Sequence, residues 1–203
     1  KNIENYQEEQ DLKIHEYKNQ LSSITAITDD KAVLEKIEEI LNVDLTTDVY
    51  LLSKLKYMPK GELKSLIYYK LLIASKENIK LSISITELNK DCYKFSTRQE
   101  KSLTNLIGIF FDNAIEAAKV SDKKEVAFEI YDSNLGLTFL IENSFNGQID
   151  INKIDRKGFT TKGKGHGNGL HLAKKIISKN IGIHTRRLVT NNNFVQKIII
   201  EKE

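Results

Sequence analysis

Proline, tryptophan and cysteine are almost missing from this chain: its 203 residues hold one proline, one cysteine and no tryptophan. A lone Cys92 closes no internal disulfide, and four histidines without a Cys-x-x-Cys partner build no zinc framework, so a reducing cytosol is expected. Long apolar runs are missing too, because no stretch reaches the eighteen residues that a spanning helix needs. The start, Lys1 to Asn5, has neither an initiator Met nor the apolar core of a signal peptide, and the expectation is a fragment of a longer protein. Charge of one sign is likewise scarce. Charged residues make up 29% of the chain but leave a formal +3, which gives no broad electrostatic case for nucleic acid or an acidic membrane. Any anion site must therefore be local. A hydrophobic content of 40% suffices for one large or two small globular domains.

Two kinds of periodicity divide what is there. Ile14, Tyr17, Leu21 and Ile24 recur at steps of three and four, which predicts one helix over about 4–28 with a coiled-coil seam. Asp29-Asp30 offers a cap for a second helix with Val33, Leu34, Ile37, Ile40 and Leu41 on its stripe. Two such helices form a hairpin too thin to bury both stripes, so a four-helix bundle made by a homodimer is expected. Met58-Pro59-Lys60-Gly61 breaks the pattern and marks a domain boundary, giving a hairpin domain over 1–60 and a second domain over 61–203. A helix over 61–77, with Leu63, Leu66, Ile67, Lys70, Leu71 and Ala74 on its stripe, sits at the junction.

From Ile79 to Ile85 the period changes to two, as in a half-buried strand. A helix is expected over 97–119, strands over 124–131 and 136–142 around a turn at Asp132 to Asn134, and a helix over 169–180. A closing hairpin pairs 183–189 with 194–201 across Asn191-Asn192. The fold class is thus α + α/β: a helical hairpin followed by a sheet covered by helices on one face.

Between the second hairpin strand and the last helix, Gly158, Gly163, Gly165, Gly167 and Gly169 supply five of the ten glycines. Without Cβ atoms, successive backbone N–H groups can turn toward one oxyanion, and the helix opening at Gly169 adds its positive end. That describes a polyphosphate cradle, to which Lys162 and Lys164 bring mobile positive charge. Gly165 replaces the hydroxyl of a P-loop, and no apolar strand precedes the run. The dinucleotide pattern fails because Asn168 and Leu170 stand where its third glycine belongs. A plain surface loop is the remaining alternative.

The helix at Asn105 to Ala118 is strongly apolar yet carries Asp112, Asn113 and Glu116. Polar side chains on such a helix need partners. An amide oxygen suits Mg²⁺, a hard cation; a satisfied core amide is the other reading. Together with the glycine run, Asp112-Asn113-Ala114-Ile115-Glu116-Ala117 resembles the N box of the GHKL ATPase superfamily, which includes gyrase, histidine kinases and MutL. Gly165-His166-Gly167-Asn168-Gly169-Leu170 resembles its second glycine box. The resemblance implies Mg-ATP binding, with Asn113 as the metal ligand and Lys162, Gly163, Gly165, Gly167, Gly169 and Leu170 around the nucleotide. Where histidine kinases have a D-x-G box for the adenine amino group, this chain reads Ile141-Glu142-Asn143-Ser144-Phe145, so Asn143 takes that role; Ile109 stands where an asparagine is usual.

The chain as a whole is similar to peptide-pheromone quorum-sensing kinases of the AgrC and VirS type, in which a phosphoacceptor box has the form of His15-Glu16-Tyr17-Lys18-Asn19. The resemblance implies an enzyme of a two-component system. Here His15 is phosphorylated from ATP, with Glu16 as proton acceptor and Asn19 one helical turn away to position an attacking group. It also implies a homodimer, transfer to an aspartate of a response-regulator receiver domain, and a membrane-spanning sensor upstream of a cytoplasmic core, with no nucleic acid partner. Two alternatives are a phosphotransfer scaffold with degenerate ATP binding and an ATP-hydrolysing conformational clamp. His166 is read as a lid residue able to brush a phosphate, and His171 and His184 as ordinary helix and strand residues.

Overall fold

A computed structural model describes Lys36 and residues 49–59, 61–148, 169–190 and 192–201 of the chain. The expected hairpin, its bundle and the phosphoacceptor box lie outside the described residues, apart from Lys36. Among those described, α1 (Val49–Lys54), α2 (Glu62–Lys76) and β1 (Lys80–Ile85) come first, followed by a short 3-10 turn (Lys90–Tyr93) and α3 (Thr97–Lys119). Then come β2 (Glu125–Ser133), β3 (Gly136–Ser144), α4 (Gly169–Ser178), β4 (Ile183–Thr190) and β5 (Asn193–Ile200).

The strands form one mixed sheet in the order β1-β2-β3-β5-β4. β1 runs parallel to β2, with α3 in the crossover between them, and the other pairings are antiparallel. Alternation then sorts the two faces. Val126, Phe128 and Ile130 of β2, Leu137, Phe139 and Ile141 of β3, and Ile198 and Ile200 of β5 all point to one side, where they meet the buried faces of the helices. The expected one-sided α/β arrangement is what this domain has. β1, at the edge, alternates between exposed and half-buried, as its period of two predicts.

α3 is the central helix. Ser96 caps it through a reciprocal box: its hydroxyl accepts from the Gln99 amide at 3.3 Å, and the Gln99 side chain accepts from the Ser96 amide at 3.0 Å. Leu103, Leu106, Ile107, Phe110, Phe111 and Ala114 are fully or almost fully buried on its inner face, and the Phe111 ring lies 5.1 Å from that of Phe128 in β2. Burial of each of the leucine, isoleucine and phenylalanine side chains contributes about 1.5–3 kcal/mol. Pro59 interrupts the chain, but packing continues across it. Leu51, Leu55 and Met58 before it share one hydrophobic cluster with Leu63, Leu66 and Ile67 after it and with the α3 residues.

β2 and β3 run longer than their patterns suggest, leaving a two-residue connection at Asn134-Leu135. The Ser133 hydroxyl explains the extension, since it donates to the Gly136 carbonyl at 2.9 Å and accepts from the Leu135 amide at 3.3 Å. β3 therefore carries Asn143 and Ser144 within the sheet, Asn143 opposite Val126 on one side and Phe194 on the other. Gly136 makes this possible with φ at +130°, and a Cβ there would come within 1.9 Å of the Ile200 carbonyl oxygen. Gly136→Ala should cost about 3 kcal/mol or more, because both the backbone angle and a main-chain atom oppose the methyl. Urea denaturation checks this: the midpoint should fall well below that of the parent chain, and an unchanged midpoint contradicts it.

Candidate functional site

α3 and α4 lie side by side in opposite directions. At one end, the Ser102 hydroxyl on α3 donates to the Asn180 side chain just beyond α4 at 3.0 Å, and Asn180 in turn donates to the Ile176 carbonyl at 2.6 Å. At the other end, Gly169 opens α4 against Ile109 and Asn113. The two contacts lie eleven residues apart on α3, from Ser102 to Asn113, and at the two ends of α4, from Gly169 to Asn180 just past its last turn. A Cβ at Gly169 would lie 3.4 Å from an Ile109 methyl and 3.5 Å from Asn113 Nδ2. A methyl there would rest in van der Waals contact with the amide and cover part of it.

The amide's orientation follows from its donor. Asn113 Nδ2 donates to the Ile109 carbonyl at 2.8 Å, one turn back on α3. Oδ1, an acceptor, is thereby the atom turned away from the helix's own backbone. It sits near the first turn of α4, which carries no acidic residue and whose unbonded amides bring partial positive charge. A neutral oxygen next to a positive helix end fits a cation chelated by phosphates, since the oxygen serves the cation and the amides serve the anion.

The sheet supplies a floor beside this corner. Asn143 is 1% exposed, and its Nδ2 donates to the Ser144 carbonyl at 3.0 Å, while Oδ1 is buried with no hydrogen-bond partner among the described residues. Gln196 on the same sheet face is fully buried, and neither of its amide atoms finds a partner there. Leaving such atoms unsatisfied costs roughly 1–3 kcal/mol each, which a ligand or water reaching the floor would relieve. Phe145 and Phe194 pack together with Ala117, Leu170 and Val189 and form an apolar wall at Asn143. Ser144 holds this end of β3 to the end of α3. Its hydroxyl shares a hydrogen bond of 2.7 Å with that of Ser121, accepts from the Glu125 amide at 2.9 Å, and Ser121 donates to the Ala118 carbonyl.

The structure thus brings Asn113, Gly169, Leu170 and Asn143 to one side of the sheet. Lys162, Gly163, Gly165 and Gly167, like His15, Glu16 and Asn19, lie outside the described residues. Glu116 is exposed on α3 and is no part of the floor. A cleft of about 230 Å³ is bordered by Lys80, Ser82, Glu125, Glu142, Asn143 and Asn193, and so shares Asn143 with this corner. Neither Asn113 nor Gly169 lines it, and the Glu142–Asn193 hydrogen bond of 2.6 Å lies at its wall. Gln196, Phe194 and Lys70 escaped the sequence reading as site residues. For Lys70 the signal was present, a lysine standing on an otherwise apolar stripe.

Comparison with known proteins adds the following. A family model described as "GHKL domain" matches residues 100–201. No match was found among curated proteins. Among solved structures, the chain is similar to the catalytic domain of the histidine kinase ThkA in a nucleotide-free form, at 25% identity over 77% of this chain and 95% of that one, with a TM-score of 0.49. It is also similar to the histidine kinase AdeS of Acinetobacter baumannii, at 15% identity over 88% of this chain and 91% of that one, with a TM-score of 0.47. The histidine kinase domain of the blue-light activated kinase EL346 from Erythrobacter litoralis is 13% identical over 95% of this chain and 94% of its own, with a TM-score of 0.45. No helix among the described residues is long and apolar enough to cross a membrane.

Gly169→Ala should separate folding from binding at this corner. The change removes a helical glycine and is expected to leave stability level or raise it by up to about 1 kcal/mol. Its methyl stands over Asn113, so affinity for Mg-ATP should fall. Thermal denaturation and titration calorimetry read the two effects; loss of stability with affinity intact would contradict the geometry.

Proposed function

This chain belongs to the GHKL domain family, and from that premise we propose that it is the ATP-dependent kinase core of a two-component system, phosphorylating its own His15. The observation that carries the reading is the placement of Gly169 against Asn113, which joins the end of the glycine run to the amide of the N-box helix. Asn143 Oδ1, buried and unpartnered, offers an acceptor for the exocyclic amino group of adenine. Its Nδ2 is occupied by the Ser144 carbonyl, so the asparagine presents to a base the same kind of atom that an aspartate would. Phe145, Phe194 and Leu170 would bury the ring faces.

Asn113 Oδ1 is the protein oxygen suited to Mg²⁺, while Lys162 and the amides of Gly163, Gly165, Gly167 and Gly169 would hold the phosphates. Mg²⁺, when bound with the nucleotide, neutralises charge on the phosphates. In the transfer itself a ring nitrogen of His15 attacks the γ-phosphorus, the bond to the bridging β-oxygen breaks, and ADP leaves. Glu16 accepts the ring proton, and Asn19 positions the attacking group. The phosphoryl group then passes to an aspartate of a response-regulator receiver domain. A homodimer joined through the helices before residue 60, downstream of a membrane-spanning peptide sensor of the AgrC and VirS type, is the assembly this reading expects.

A phosphotransfer scaffold with weak ATP binding is the second reading. It is favoured by Ile109, which is 2% exposed where the superfamily usually carries a polar side chain.

Incubation with γ-labelled ATP tests the proposal. Acid-labile label should appear on the chain, vanish in His15→Gln and with a chelator of Mg²⁺, and fall at least about tenfold in rate in Asn113→Ala. Label that survives His15→Gln would refute the acceptor, and ATP affinity weaker than about 1 mM would favour the scaffold.

A further inference from the structure

Lys70 lies on α2, is 5% exposed, and places its Nζ 2.6 Å from Asp112 Oδ1 on α3. A buried lysine is expensive, and an apolar residue of similar size on this stripe would generally stabilise the fold at least as well. The pair therefore asks for a reason beyond packing. α3 supplies one. Ile109, Asp112, Asn113 and Glu116 fall at i, i+3, i+4 and i+7, so two carboxylates flank the Asn113 amide along one helical stripe. Glu116 is exposed, whereas the Asp112 side chain is only 32% exposed and so less screened by solvent. An uncompensated carboxylate one residue from the metal-facing amide would repel a ligand that carries several negative charges.

We propose that Lys70 is a positioning residue for the nucleotide. By neutralising Asp112 it lets α3 present the Asn113 oxygen to a polyphosphate without a repelling charge beside it, and its ion pair fixes α3 against α2 at the residue next to that amide. The inference rests on the nucleotide reading above. It makes the contribution of Lys70 depend on the charge of the ligand, which a purely structural tie would not.

Titration calorimetry on the full 203-residue chain with Mg-ATP, Mg-ADP and adenosine tests it. Lys70→Met should weaken Mg-ATP about tenfold and Mg-ADP less, while adenosine is held as before, and the loss should shrink at high salt. Asp112→Asn leaves a cation instead of an anion and should bind Mg-ATP at least as tightly as the parent. The double variant should return to within about twofold of the parent. If both single variants weaken all three ligands equally, or if Lys70→Met leaves Mg-ATP binding unchanged, the proposal is overturned. Should Lys70→Met not fold, Asp112→Asn and the double variant carry the test: Mg-ATP affinities within about twofold of the parent or tighter in both support the proposal, and a loss beyond that in either overturns it. A parent chain that binds none of the three ligands defeats the nucleotide reading and this inference with it; one that binds ATP and adenosine alongside an unaffected Lys70→Met defeats the inference alone.

Discussion

The relation between one amide and one glycine depends on how α3 and α4 are held together. Their antiparallel packing is tied by Ser102 and Asn180 at one end and closes at the other on Gly169 and Asn113. Because both helices rise equally per residue, a change of one residue in either would carry the glycine about 1.5 Å along the helix away from the amide. The side chains between are core residues, among them Leu106, Phe110, Leu172 and Ala173, so the spacing is enforced by close packing as well as by hydrogen bonds. The sheet adds the second fixed point. Ser121 and Ser144 fasten the end of α3 to the end of β3, which sets Asn143 at a defined place below the helix layer.

Much of this was legible before any coordinates. The strand at Ile79 to Ile85, the long helix from Thr97, the hairpin partners and the helix opening at Gly169 follow from periods of two and 3.6 and from glycine, and the structure has each of them. Periodicity says less about where a strand stops. β3 was expected to end at 142, but a serine hydroxyl at each end of the hairpin, in Ser133 and Ser144, carries the ladder further, and those contacts reach across the sheet. The capping box at Ser96 and Gln99 has a spacing that marks a helix start in sequence alone. What sequence could not show was the pairing of Lys70 with Asp112, two residues 42 apart in the chain, or the empty valences of Gln196, which depend on which strands become neighbours.

Two asparagines of the site share one trait: in each, the nitrogen is held by a main-chain carbonyl, which leaves the oxygen for a ligand. Asn113 gives its nitrogen to Ile109 and Asn143 gives its nitrogen to Ser144, leaving two oxygens of fixed orientation. Fixed dipoles need no reorganisation when a ligand arrives, which lowers the entropic cost of binding. Asp112, next to Asn113, instead has an oxygen committed to Lys70.

The burial of Leu51, Leu55 and Met58 in the same cluster as α3 has a practical consequence. A truncated version of this domain beginning just after Pro59 would strip three large side chains from the core that supports the N-box helix. Removing that many buried aliphatic groups is comparable to making several core deletions at once, a loss on the scale of a small domain's entire stability. Recombinant fragments carrying this domain therefore need to include the segment from residue 49 to Pro59.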